Sequence, residues 1–184
     1  MKIFTWSQFI KENKTAKKVL ILTGEGFQDD ELFIPKQRLE SEGFDVTVSS
    51  NEAKTYKAFN SDKTVNVEEA LVNISPTNYD LLLIPGGKAP EYLRKEKSVI
   101  EFVKKFAGTD KPIAAICHGP LILESAELVE GKKMTCFEDA VKELKSAGAI
   151  YINESCVKDG QFITSRNPGD LEDFCDAIIE KLKS

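Results

Sequence analysis

Three short apolar runs narrow the folds open to this chain more than anything else in it. They are Lys17 to Thr23 (KKVLILT), Asp80 to Ile84 (DLLLI) and Ile113 to Ile116 (IAAI). None alternates polar with apolar. A continuous run of strand length implies burial on both faces, the pattern of a parallel sheet covered by helices on either side. The segments between them supply such helices. One runs from Asp29 to about Glu42 and ends at Gly43. A second, Pro90 to Phe106, carries Leu93, Val99, Ile100, Val103 and Phe106 as its apolar stripe, and a third runs from Pro168 to Leu182. Pro35 sits awkwardly in the first of them and predicts a kink or a late start. Phe44 to Ser50 alternates as a further strand. The expected class is therefore α/β, with a central, mostly parallel sheet and helices on both faces.

The remaining elements are shorter. Residues 51–67 read as a loop or small hairpin, followed by a short helix from Glu68 to Val72. A helix starts after Gly119-Pro120. Lys132 to Phe137 and Ala149 to Asn153 are expected strands around a helix from Glu138 to Ala147, and Asp159-Gly160 predicts a type I′ hairpin. Residues 1–16 form an N-terminal extension, and one domain spans 17–184.

The strand at Ile113–Ile116 runs into Cys117-His118-Gly119-Pro120. Ala115-x-Cys117-x-Gly119 is close to the Gly-x-Ser-x-Gly nucleophile elbow, with sulfur for the hydroxyl and small residues where strand and helix backbones meet. A cysteine at a helix N-terminus is placed where free N–H groups favour the thiolate. The competing reading is a buried structural cysteine. Ligands in such sheets bind beyond the carboxyl ends of the strands. Two further strand ends carry unusual residues, Gly24-Glu25-Gly26 and Pro85-Gly86-Gly87. Backbone N–H groups of the second, beside that of His118, could form an oxyanion hole, or the segment is simply a tight turn. Glu31 either reaches the corner cysteine or is a solvated first-turn acid. His118 is the sole histidine, so any imidazole base is this one, and it then needs a carboxylate to orient it.

Composition limits the partners. A net charge of −5 with no basic stripe argues against nucleic acid and anionic membrane surfaces. No apolar stretch approaches the ~20 residues that span a bilayer, and no secretory signal is seen, so cytoplasmic residence is expected. Cys117, Cys136, Cys156 and Cys175 are widely spaced, which predicts reduced thiols and, with one histidine, no metal site; no cofactor is expected. Arginine is scarce; for Arg166, a structural fork near the last helix is favoured over an anion anchor.

Four segments in order carry a resemblance. Gly26-Phe27-Gln28-Asp29-Asp30-Glu31, Ile84-Pro85-Gly86-Gly87-Lys88-Ala89-Pro90-Glu91, Ala114 to Pro120, and Thr164 to Leu171 resemble the PfpI/ThiJ family of the class I glutamine amidotransferase-like superfamily, from about Lys17 to the C-terminus. The resemblance implies a flavodoxin-like three-layer sandwich, Cys117 as nucleophile, Glu31 against its sulfur, and Gly87 with the His118 backbone as oxyanion hole. It also implies that Glu91 of a neighbouring subunit orients His118, hence a homo-oligomer, a dimer or a hexamer of dimers. Gln28 departs from the family's usual glutamate. The implied activity is a cysteine-nucleophile enzyme acting on carbonyl substrates, small aldehydes or peptide and protein adducts, of the peptidase, deglycase or glyoxalase III kind. A non-enzymatic oxidative-stress sensor or chaperone built on Cys117 is the alternative.

Overall fold

The computed structural model describes residues 16–184, and the N-terminal extension falls outside them save for its last residue. Six strands form the central sheet in the order β2-β1-β5-β6-β10-β9. They are β1 (Lys18–Leu22), β2 (Asp45–Ser49), β5 (Leu81–Ile84), β6 (Ile113–Ile116), β9 (Cys156–Asp159) and β10 (Phe162–Ser165). All neighbours are parallel except β9, which runs antiparallel at the edge. The three continuous apolar runs are three of the sheet's four interior strands, and their apolar residues from Val19 to Leu22, Leu81 to Ile84 and Ile113 to Ile116 are fully buried. The predicted α/β class and flavodoxin-like arrangement hold. Strand order reverses at β1, so the crevice for a ligand lies beyond the carboxyl ends of β1 and β5, beside β6.

Helices flank the sheet. α1 (Asp29–Ser41) packs against α6 (Leu171–Lys183), tied by Arg38 to Asp176 at 2.5 Å. A second group comprises α2 (Ala89–Leu93), α3 (Lys97–Ala107), α4 (Pro120–Ser125) and α5 (Val141–Ser146). Among the described residues no helix is long and apolar enough to cross a membrane.

Several elements differ from expectation for local reasons. The helix expected over Pro90–Phe106 is two helices, α2 and α3, broken at Arg94–Glu96. At about 100° per residue, Leu93 would lie about 120° around the helix from Val99. The break lets Leu93 pack beside Gly24 while Val99, Phe102, Val103 and Phe106 are buried from α3. α1 starts at Asp29 and runs through Pro35, so no late start occurs. The hairpin of β3 (Thr55–Lys57) with β4 (Thr64–Asn66) forms as read, but Glu68–Val72 is not a helix; a single 3-10 turn spans Leu71–Asn73. Only Lys133–Met134 (β7) of the Lys132–Phe137 segment is strand, paired with β8 (Ile150–Tyr151), because the chain then leaves the ladder to cover the elbow, where the Phe137 N–H donates to the Cys117 carbonyl at 3.0 Å. The final hairpin turns on Gly160-Gln161, with positive φ at Gly160 alone among the two, which is type II′ rather than I′.

Gly119 shows how tightly strand and helix meet. A Cβ there would lie 2.4 Å from the Ile84 carbonyl oxygen and 2.9 Å from that of Ile116, both backbone. Gly119→Ala is expected to cost about 3 kcal/mol and lower Tm by about 10 °C, read by thermal unfolding.

Candidate active site

The elbow is real and strained. Cys117 has φ of +62°, the left-handed region that non-glycine residues seldom enter. Its N–H is held by the Ser165 carbonyl at 3.1 Å and its carbonyl by Phe137. With both backbone groups pinned, the side chain projects from the end of β6 and is 6% exposed.

Two loops are stapled together around it. The Gln28 N–H donates to the Gly86 carbonyl at 3.2 Å and the Lys88 N–H to the Gly26 carbonyl at 2.8 Å, joining the segments after β1 and β5. Gly86 and Gly87 have no room for a side chain. A Cβ on Gly86 would sit 2.7 Å from Glu31 Oε2 and 3.0 Å from Cys117 Sγ; Gly87 has φ of +84° and its Cβ would strike the backbone of residues 26–28. Pro85-Gly86-Gly87 is thus a loop shaped to the sulfur, and the backbone N–H groups of Gly87 and His118 are directed at it.

Glu31 occupies the third position of α1, where a glutamate commonly folds back onto the N-cap amide. Here that amide is taken by Gly86, and Gln28 caps the helix instead by accepting the Glu31 N–H at 2.7 Å. Glu31 is left free to point inward. It is fully buried, its Oε2 accepts the Gly86 N–H at 2.7 Å, and Oε1 has no hydrogen-bond partner among the described residues. The solvated first-turn reading therefore fails. Burial raises its carboxyl to about 7, against the Gly86 N–H and the Cys117 sulfur, which favour the ionised form.

The same burial raises the Cys117 thiol, and the ionised Glu31 raises it further; the Gly87 and His118 N–H groups pull the other way without prevailing. The N–H groups at this position favour the thiolate, as expected, but are outweighed by burial and Glu31, so the thiol form prevails. His118 Nδ1 lies 3.3 Å from Cys117 Sγ. Its Nε2 lies 2.8 Å from Asp139 Oδ1. A carboxylate only accepts, so it assigns the ring proton to Nε2 and leaves the Nδ1 lone pair facing the thiol. Phe137 packs on the imidazole with ring centroids 5.2 Å apart. Cys136, Cys156 and Cys175 are pushed up by burial to about 12, 11 and 11.

Asp139 escaped the sequence reading. It lies in a 3-10 turn, Glu138–Ala140, 21 residues from His118, where nothing but tertiary proximity marks it. Glu91, the expected orienting carboxylate, does not pair with His118 of its own chain; it stands half-exposed 3.8 Å from Arg94 Nη1. Arg94, largely buried, also binds Glu124 at 2.5 Å and Glu143. Arg166 is the structural fork expected, bidentate to Asp170 at 2.8 and 2.9 Å and bonded to Asn153 at 3.0 Å. A cavity of about 640 Å³ opens over Cys117, His118, Glu31 and Gln28, with Glu91 and Asp139 on its walls and apolar surface from Phe59, Leu121, Phe137 and Pro168.

Comparisons with known proteins give the family and the fold. The DJ-1/PfpI family matches residues 17–181. The chain is 39% identical over 166 residues to a deglycase of Thermococcus kodakarensis, covering 90% of this chain and 99% of that one. It is 34% identical over 161 residues to protein/nucleic acid deglycase 2 of Escherichia coli, covering 86% and 94%. A two-domain protein of Anabaena variabilis with DJ-1/ThiJ/PfpI-like and ferritin-like domains superposes with a TM-score of 0.89 at 36% identity, covering 91% of this chain and 48% of that longer one. This chain is a member of the DJ-1/PfpI family.

Proposed function

We infer that the protein is a cysteine-dependent deglycase, which hydrolyses adducts of 2-oxo aldehydes with amines or thiols. The observation that carries the reading is a thiol whose base, oxyanion donors and proton-bearing carboxyl all converge on one cavity. Two deglycase relatives, matched over nearly their whole length, support it. His118 Nδ1 takes the Cys117 proton, and the resulting imidazolium is stabilised by Asp139. The thiolate then displaces the amine or thiol from the aldehyde-derived carbon: the new carbon–sulfur bond forms as the adduct's carbon–nitrogen or carbon–sulfur bond breaks, and the departing group takes the proton from the His118 imidazolium. The oxygen on that carbon is met by the Gly87 and His118 N–H groups, and Glu31, titrating near neutrality, holds or gives a proton. Across the whole reaction an adduct and one water give back the free amine or thiol and one 2-hydroxy acid. A cavity of about 640 Å³ is far larger than a three-carbon aldehyde requires, so it has room for the group that carries the adduct.

The test is release of lactate from methylglyoxal-treated Nα-acetylarginine by the purified protein; no lactate above a protein-free blank overturns the reading. Two variants then separate the carboxylates. Asp139→Asn is expected to lower kcat about tenfold, because the amide permits the wrong tautomer, the effect being moderated by the 64% exposure of the Asp139 side chain. If a neighbouring subunit's Glu91 orients His118 instead, Glu91→Gln carries the loss and Asp139→Asn is silent.

A further inference from the structure

Gln28 does two jobs with one side chain. Its Oε1 is committed to the Glu31 N–H at 2.7 Å and its backbone N–H to the Gly86 carbonyl. A carboxamide is planar, so pinning its oxygen on the helix end also sets where its nitrogen lies. Among the described residues that Nε2 donates no hydrogen bond, yet Gln28 is only 9% exposed, and it lines the cavity shared with Cys117, His118 and Gly87. That Nε2 is not among the buried atoms left without a partner, so it keeps contact with solvent, and a ligand that displaces water from the cavity must offer an oxygen in its place.

We propose that Gln28 Nε2 donates to a second oxygen, on the carbon next to the one attacked by Cys117, and so selects 2-oxo aldehydes and their adducts over simple aldehydes. This rests on the carbonyl reading of the site. The oxygen on the attacked carbon is already met by the N–H groups of Gly87 and His118, which point at the sulfur. Gln28 comes from the other loop, after β1, and is stapled to Gly86, so its donor belongs to a neighbouring position on the same small ligand. A substrate lacking the second oxygen leaves this N–H unpaired, and sites built around a hydrogen bond discriminate strongly against such analogues.

The experiment uses reversible hemithioacetal formation, in which the sulfur bonds to the aldehyde carbon, the carbonyl π bond opens and the thiol proton ends on oxygen. The full chain is equilibrated with methylglyoxal or with propanal, and the fraction of Cys117 protected from alkylation is read by mass spectrometry. Dividing each affinity by that of a small free thiol removes the intrinsic electrophilicity of the two aldehydes. Wild-type protein is expected to keep a preference for methylglyoxal of about tenfold or more after this correction. Gln28→Glu retains an oxygen for the Glu31 N–H but has no donor, and its corrected preference should fall to about one. Any change in thiol basicity affects both aldehydes equally and cancels in the ratio. A neutral Gln28→Met variant should lose the preference too, which a charge effect at residue 28 would not reproduce. A preference that survives in both variants overturns the role of Gln28 alone; protection by neither aldehyde in wild-type protein overturns it together with the carbonyl reading.

Discussion

Cys117→Ala protein is expected to release lactate from methylglyoxal adducts at less than about one-thousandth of the wild-type rate, since among the described residues no other thiol lines the cavity. The three remaining cysteines are raised to between about 11 and 12 by burial and do not line that cavity, so they offer no replacement nucleophile. The same position carries a stability signature. With φ at +62°, any side chain at residue 117 is strained, and only glycine is indifferent to that geometry. Cys117→Gly should therefore be as inactive as Cys117→Ala but more stable than it by about 1 kcal/mol, a Tm about 2–4 °C higher. Lactate assays with differential scanning calorimetry on both variants check the pair of statements. An alanine variant of undiminished activity would remove Cys117 from the chemistry, and equal stability would mean that the elbow stores no strain.

Glu31→Gln is expected to move activity and stability in opposite directions. Activity should fall about 100-fold, the usual worth of a positioned proton-transfer group. Stability follows from linkage. The folded protein holds the Glu31 proton up to about pH 7, whereas the ordinary carboxyl value is 4.5, so the folded state binds more protons between those limits. The stabilisation from this group is full below pH 4.5 and is lost as pH rises through 7, a loss of about 3 kcal/mol. Above pH 7 the wild type holds a buried carboxylate with one oxygen unpaired; the amide variant does not. Between pH 4.5 and 8 the Tm of Glu31→Gln should therefore gain roughly 5–10 °C on that of the wild type. Parallel Tm profiles for the two proteins would show that Glu31 titrates normally.

The cavity's wider surroundings bear on both results. Arg94 gathers Glu91, Glu124 and Glu143 around one guanidinium and so braces α2 against α4 and α5. That keeps the helix following Gly87 in fixed relation to the elbow helix, and with it the distance between the two N–H groups directed at Cys117. The Gln28 cap serves the same end from the other loop, since it frees Glu31 from helix capping and lets it turn to the sulfur.

The sheet was legible because its signal is local. Val19–Leu22, Leu81–Ile84 and Ile113–Ile116 could be buried on both faces only in a helix-covered parallel sheet. The elbow was legible too, since Cys117 between Ala115 and Gly119 needs small neighbours on both sides, and the Ile84 carbonyl against Gly119 shows why. Elements whose extent depends on what they pack against were read less well. Nothing between Pro90 and Phe106 breaks a helix, yet burying Leu93 on one surface and Val99 on another does. The strand from Lys132 was cut short by the pull of Phe137 toward the Cys117 carbonyl.

From the amino-acid order alone came the α/β class, the three loops that meet at the sheet's carboxyl edge, and the short set of groups able to do chemistry there: Cys117, His118, Glu31 and Gly87. Tertiary structure alone decided how those groups behave. A first-turn glutamate is ordinarily solvated; Glu31 titrates near 7 because two stapled loops exclude water from it. A cysteine at a helix start is ordinarily acidic; Cys117 is not, because burial and that same glutamate outweigh the N–H groups facing it. His118 gains its carboxylate from Asp139, which only the path of the chain over the elbow brings within 2.8 Å. Residue types depend on the sequence, but protonation depends on desolvation and on charges brought close from distant positions, and these exist only once the chain has folded.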